Sequence, residues 1–181
     1  MKIRPLTIPG CFEIEGIKSI DDRGFFFKSY NRLEFNKHGL FDEWKELFFS
    51  WSRPKVIRGF HFQGPPSEHT KLISCPVGLV LDVALDIRRS SPTFGKHQIL
   101  ELSEEIGNVL YYPPGIAHAF YVPHTPSLMQ YAISSIHDSK HDLGIRWDSC
   151  GIDWNEIVDT PIISERDKRL PPWQEFQSPF N

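Results

Sequence analysis

The chain has 181 residues, 40% hydrophobic and 24% charged, a length and balance that suit one domain with a core of its own. A formal net charge of -3 excludes the broad positive field that nucleic-acid binding requires, although a few local arginines suffice to hold a small phosphate-bearing molecule. Three widely spaced cysteines, Cys11, Cys75 and Cys150, exclude a disulfide framework and a CxxC zinc site and fit a reducing cytosol.

The first stretch, MKIRPLTIPGCFEIEG, lacks the apolar run of a secretion signal, and no run of about 18 apolar residues follows. A soluble, cytoplasmic protein without a membrane partner is therefore expected. Fifteen Pro and twelve Gly cut the chain into short β-branched and aromatic pieces, which predicts an all-β fold. GCFEIEG and GFFFKSYN are the first predicted strands. NRLEFNKHGLFDEWKELF then carries apolar residues at roughly helical spacing, interrupted by Gly39, and predicts one or two short helices. Seven further strands follow: VIRGFHFQ, HTKLISCPVG, LVLDVALDI, KHQILELS, NVLYYPP, AHAFYVP and SLMQYAISS, with turns at PVG, SSPTFG and YYPPG. In LVLDVALDI, Leu79, Leu81, Val83, Leu85 and Ile87 share one face, and Asp82 and Asp86 point the other way, to solvent or into a polar barrel mouth. From about residue 138 the chain turns loop-rich and charged, which predicts a C-terminal wrap with a short helix around a single domain, 1–181. About nine strands at this spacing predict a sandwich or a small barrel.

Four residues invite a chemical reading, and each has an ordinary one beside it. His61 in RGFHFQGPP sits among aromatics, where a histidine is as often structural as catalytic. His118 follows a Pro-Pro-Gly turn, where it could simply satisfy backbone groups. Lys71 opens a strand, as a surface lysine would. Tyr131 lies in the apolar strand SLMQYAISS, where a buried tyrosine with its hydroxyl at the rim is commonly core.

In order and spacing, DDRGFFFKSYN, VIRGFHFQGPP, KLISCPVG, DVALDIRRSSPTFG, PPGIAHAF, GIRW and ISERDKRLP resemble the dTDP-4-dehydrorhamnose 3,5-epimerase family of cupin-like jelly rolls, over roughly residues 10 to 172. The resemblance implies a double-stranded β-helix with a few short peripheral helices. It also implies a cofactor-independent epimerase of a nucleotide-linked 4-keto-6-deoxy sugar, working as a homodimer whose N-terminal strands extend the partner's sheet. Inverting a carbon beside a ketone needs a base on one face, stabilisation of the enolate oxygen, and an acid on the other face. By resemblance the base is His61, oriented by Asp167; Lys71 stands at the ketone oxygen and Tyr131 returns the proton. Asp82 is expected near Lys71, keeping it charged. Arg23 and Arg58 match the residues that hold the diphosphate, and His118 and Gln63 belong to the substrate pocket. Phe26 faces the nucleotide. Arg88 or Arg89 is expected to pair with surface carboxylates.

Two segments depart from the family pattern. Where the family reads FFFESYN and, later, QDNHSxS, this chain reads FFFKSYN and ELFFSWS, so Lys28 replaces a base-reading Glu and Glu46 falls at a base-reading Gln. A donor for an acceptor at one position and an obligate acceptor at the other open the choice between a dTDP- and a CDP-linked sugar. After Tyr131 the family's YKATNYYSP becomes YAISSIHDS, which replaces a sugar-framing aromatic by Ile136 and points to inversion at C5 without requiring it at C3. Rival readings are a ketosugar isomerase, a non-catalytic nucleotide-sugar binder, or a metal cupin. The last requires a first motif with HxH, whereas His61 is followed by Phe62 and Gln63, so no metal is expected.

Overall fold

A computed structural model describes residues 1–154 and 157–181. The short pleated pieces between Gly and Pro form thirteen strands: β1 Lys2–Pro5, β2 Phe12–Glu15, β3 Ile17–Asp21, β4 Gly24–Lys28, β5 Glu46–Ser52, β6 Ile57–Gln63, β7 Lys71–Val77, β8 Leu79–Asp86, β9 His97–Ser103, β10 Asn108–Tyr112, β11 Ile116–Tyr121, β12 Ser127–Ile133 and β13 Asp142–Gly144. They build a six-stranded sheet, ordered β1-β2-β10-β7-β12-β5, facing a five-stranded sheet, β13-β6-β11-β8-β9. β3 and β4 pair only with each other, as a separate hairpin. The helices are short: α1 Arg32–Lys37, α2 Trp154–Ile157 and α3 Glu165–Lys168, with 3₁₀ turns at Trp147–Ser149 and Trp173–Glu175. All nine predicted strands form, in the jelly-roll arrangement of two facing sheets.

Burial follows the two-residue period of the strands. In β8, Val80 and Ala84 enter the core between the sheets, with Ile73, Leu102, Leu110, Phe120 and Met129. Val83 and Leu85, one residue out of phase, pack on the opposite face against the C-terminal wrap, near Trp154 and Val158. Asp82 and Asp86 are both fully buried, so the solvent alternative does not hold. Asp86 is satisfied by two bonds from Arg88, at 2.9 and 2.8 Å, and by Ser91 and Thr93 hydroxyls at 2.6 and 2.7 Å. Arg88 therefore pairs with a buried carboxylate, not a surface one, because an interior charge must be matched. Arg89 donates to the Ser178 carbonyl instead of a surface carboxylate.

The helix expected over NRLEFNKHGLFDEWKELF is confined to its first third. Asn31 caps α1 by accepting from the Leu33 amide, and the chain leaves the helix at Gly39, where φ is +65°. ELFFSWS is instead β5, paired residue for residue with β12 along its whole length. A seven-residue ladder and aromatic side chains outweigh the local helical spacing of so short a segment.

Candidate active site

One end of the jelly roll opens into a cavity of about 500 Å³ between the two sheets. Strand register sets out its walls. Lys71, Ile133 and Glu46 form one cross-strand row over β7, β12 and β5, and Ile73, Tyr131 and Phe48 form the next, two residues further along. The rows are about 7 Å apart at the rise of an antiparallel strand. From the facing sheet, His61 on β6 stands opposite His118 on β11. Lys71, Tyr131, His61 and His118 all line this cavity.

His61 is held from a distant part of the chain. Ser164 caps α3 by accepting from the Asp167 amide, which turns the Asp167 carboxylate toward β6. One carboxylate oxygen lies 2.7 Å from His61 Nε2, and the other accepts from the Gly59 amide at 3.3 Å. Burial pushes the Asp167 carboxyl up, but the His61 and Gly59 hydrogen bonds outweigh it, and the group sits below its ordinary pKa. An ionised Asp167 takes the Nε2 proton of His61 as a hydrogen bond and leaves the lone pair on Nδ1. Gly59 also lets β6 approach β11 closely: a Cβ there, at φ +120°, would lie 2.5 Å from the His118 carbonyl oxygen.

Lys71 is buried, and its Nζ donates to the His61 carbonyl at 2.9 Å. Burial pushes the ammonium down to about 8, against the nearby charges of Asp82 and Asp142, which favour its protonated form. Asp82 is thus near enough to act on Lys71, as expected. Its two oxygens accept from Tyr112 Oη at 2.7 Å and from His118 Nε2 at 2.6 Å. Burial lowers the His118 pKa although Asp82 opposes it. The Tyr131 phenol is raised above the ordinary tyrosine value by burial and then by Asp82, so it keeps its proton at neutral pH. An oriented imidazole, a buried ammonium and a protonated phenol thus share one cavity, the set that proton abstraction beside a ketone requires. Among the described residues, no three His, Cys, Asp or Glu side chains are grouped to hold a metal ion.

A family model described as dTDP-4-dehydrorhamnose 3,5-epimerase matches residues 5–175. The chain belongs to this family. Among curated relatives, the dTDP-4-dehydrorhamnose 3,5-epimerase of Shigella flexneri is 38% identical over 168 residues, covering 92% of this chain and 93% of the relative. Among solved structures, the enzyme of the same name from Sulfolobus tokodaii has a TM-score of 0.90 at 35% identity, with 99% and 98% of the two chains covered. A 4-keto-6-deoxy sugar epimerase from the novobiocin cluster of Streptomyces spheroides reaches 0.91 at 31% identity, covering 97% and 88%. As a member of this family the protein is an isomerase, an epimerase of nucleotide-linked 4-keto-6-deoxy sugars in deoxysugar biosynthesis. No described helix is long and apolar enough to cross a membrane.

The epimerase cavity also takes in Arg58, Gln63 and Glu46 of the expected substrate residues. Arg58 Nε donates to Ser52 Oγ at 3.0 Å, and Gln63 Oε1 accepts from the Asp138 amide at 3.0 Å. Arg23, Phe26 and Lys28 lie outside it, on the β3–β4 hairpin, with Arg23 paired to Asp21 at 2.6 Å and Phe26 exposed. Ile136 is exposed and away from the cavity; the residue that enters it from that segment is His137. The chain direction turns after β12, so the neighbour one position on faces inward. His137 Nε2 lies 3.4 Å from Asp142, whose carboxylate also holds Arg166 at 2.8 Å. His137, Asp142, Arg166, Phe48 and His69 are among the wall residues that sequence reasoning missed. Only Phe48 left a signal: once ELFFSWS is a strand, Glu46, Phe48 and Ser50 fall on one face.

Proposed function

We propose that this epimerase inverts C5 of a nucleoside-diphosphate 4-keto-6-deoxyhexose. His61 Nδ1 removes the C5 proton, with Asp167 fixing the tautomer and favouring the imidazolium that forms. The electron pair moves onto the ketone oxygen, where the Lys71 ammonium stabilises the enolate. Tyr131 then delivers its hydroxyl proton to C5 from the opposite face, and solvent restores both residues. The observation that carries this reading is the convergence of the His61–Asp167 pair, Lys71 and Tyr131 on one cavity.

Arg58 takes the diphosphate, and Glu46, an obligate acceptor, meets a donor on the pyrimidine edge. Residues 1–181 act as one domain in the cytoplasm, as a homodimer in which the β3–β4 hairpin brings Arg23, Phe26 and Lys28 to the partner's cavity. Support for the dimer comes from apolar side chains left open on that hairpin, Ile17, Ile20, Phe25 and Phe26, and on the edge strand β5, Leu47, Phe49 and Trp51. The reaction is tested in deuterium oxide by following C3 and C5 by NMR with dTDP- and CDP-linked 4-keto-6-deoxy sugars. Deuterium at C5 of the product is expected, faster with one nucleotide than the other. Exchange at neither carbon with either nucleotide sinks the assignment.

A further inference from the structure

Phe48 stands directly opposite Tyr131 across the β5–β12 pair, and both rings line the cavity. The two rings are stacked, with centroids 4.9 Å apart and planes 11° from parallel. His118 meets the same phenol in an edge contact, with centroids 5.9 Å apart and planes at 67°. Tyr131 is therefore gripped by two aromatic rings that meet it at different angles, and such pairs restrict each other's rotation. Core packing does not account for Phe48, which is 42% exposed and outside all three buried clusters.

We propose that Phe48 is a positioning residue for the proton-delivering step: its stack holds the Tyr131 phenol over the face that must be protonated. This rests on Tyr131 being the acid. Once His61 has taken the C5 proton, the enolate has two fates. The imidazolium returns a proton to the original face and restores the substrate, or the phenol protonates the opposite face and gives the epimer. The His61 side chain is 28% exposed, so its proton exchanges with solvent, and in deuterium oxide each return leaves deuterium in recovered substrate. A phenol freed to rotate delivers its proton more slowly, and the partition shifts toward return.

The test compares wild type, Phe48→Leu, Phe48→Tyr and Tyr131→Phe in deuterium oxide, measuring kcat, KM, and the deuterium content of product and recovered substrate. Phe48→Leu is expected to lower kcat roughly tenfold with KM within about twofold, and to raise deuterium in recovered substrate relative to product. Phe48→Tyr, which keeps a ring to stack, restores the wild-type partition. A Phe48→Leu enzyme with an unmoved partition overturns the positioning role, whatever happens to KM. Tyr131→Phe keeps the two ideas apart. If it still forms epimer at the wild-type rate, the acid is another group and the fault lies in the mechanism. If it exchanges without inverting while Phe48→Leu partitions like wild type, the acid stands and only the role of Phe48 falls.

Discussion

At the scale of single residues, the site depends on two buried charges that no neighbour in sequence supplies. Asp167 reaches His61 across 106 positions and fixes which nitrogen carries the lone pair. Replacing Asp167→Asn leaves the shape but allows the amide to donate to Nε2, which stabilises the wrong tautomer. Steady-state kinetics should show kcat reduced by roughly 10²–10⁴, with KM little changed, and a drop below about tenfold would contradict the orienting role. In the proposed mechanism Lys71 sets the alkaline limit. Its ammonium is pushed down to about 8, so the cation that stabilises the enolate is present below that pH and lost as the pH rises through it. A pH profile of kcat should fall on its basic side near 8, and the residual activity of Lys71→Met should lack that limb. The Tyr131 phenol, whose pKa is raised, stays protonated throughout this range.

At the scale of elements, strand register converts sequence spacing into catalytic geometry. Two residues along β12 separate Ile133, opposite Lys71, from Tyr131, opposite Phe48, so a one-residue slip would turn Tyr131 out of the cavity. β6 and β11 depend on the missing side chain of Gly59. Gly59→Ala places a methyl 2.5 Å from the His118 carbonyl and forces apart the strands that carry both histidines. Thermal unfolding should show a loss of about 2–4 kcal/mol, accompanied by loss of turnover; a stable, active variant would contradict the close approach. Sequence patterns revealed nine strands because their apolar alternation is strong and their ends are marked by Gly and Pro. They concealed β5, whose period is masked by four apolar or aromatic residues at both parities, and the short β1, β3 and β13, the last with only three residues. His61, Lys71, Tyr131 and Asp167 were recoverable only as a set, through resemblance, since each alone reads as core or surface. His137 and Asp142 come from a loop and a short strand, where no periodicity tells which side chains face inward.

At the scale of the whole molecule, half of the exposed large apolar side chains fall on two features, the β3–β4 hairpin and the β5 edge. A monomer would leave Phe49 and Trp51 more than half exposed on an edge strand. Trp51→Asp, on the outward face of β5, should shift the protein from dimer to monomer in sedimentation at micromolar concentration. If Arg23 and Lys28 are supplied in trans, KM should rise with it, by roughly tenfold or more, while a monomeric wild type in the same measurement would refute the dimer.

The carboxylate paired with His61 lies 23 residues beyond Gly144, by which the two sheets are complete. During synthesis the barrel can therefore assemble around an imidazole that has no tautomer preference imposed on it. Competence waits on the Ser164-capped turn docking against β6. Clipping the molecule ahead of that turn would strip His61 of its carboxylate, take Arg166 from the cavity wall and uncover the outer face of the five-stranded sheet in a single cut.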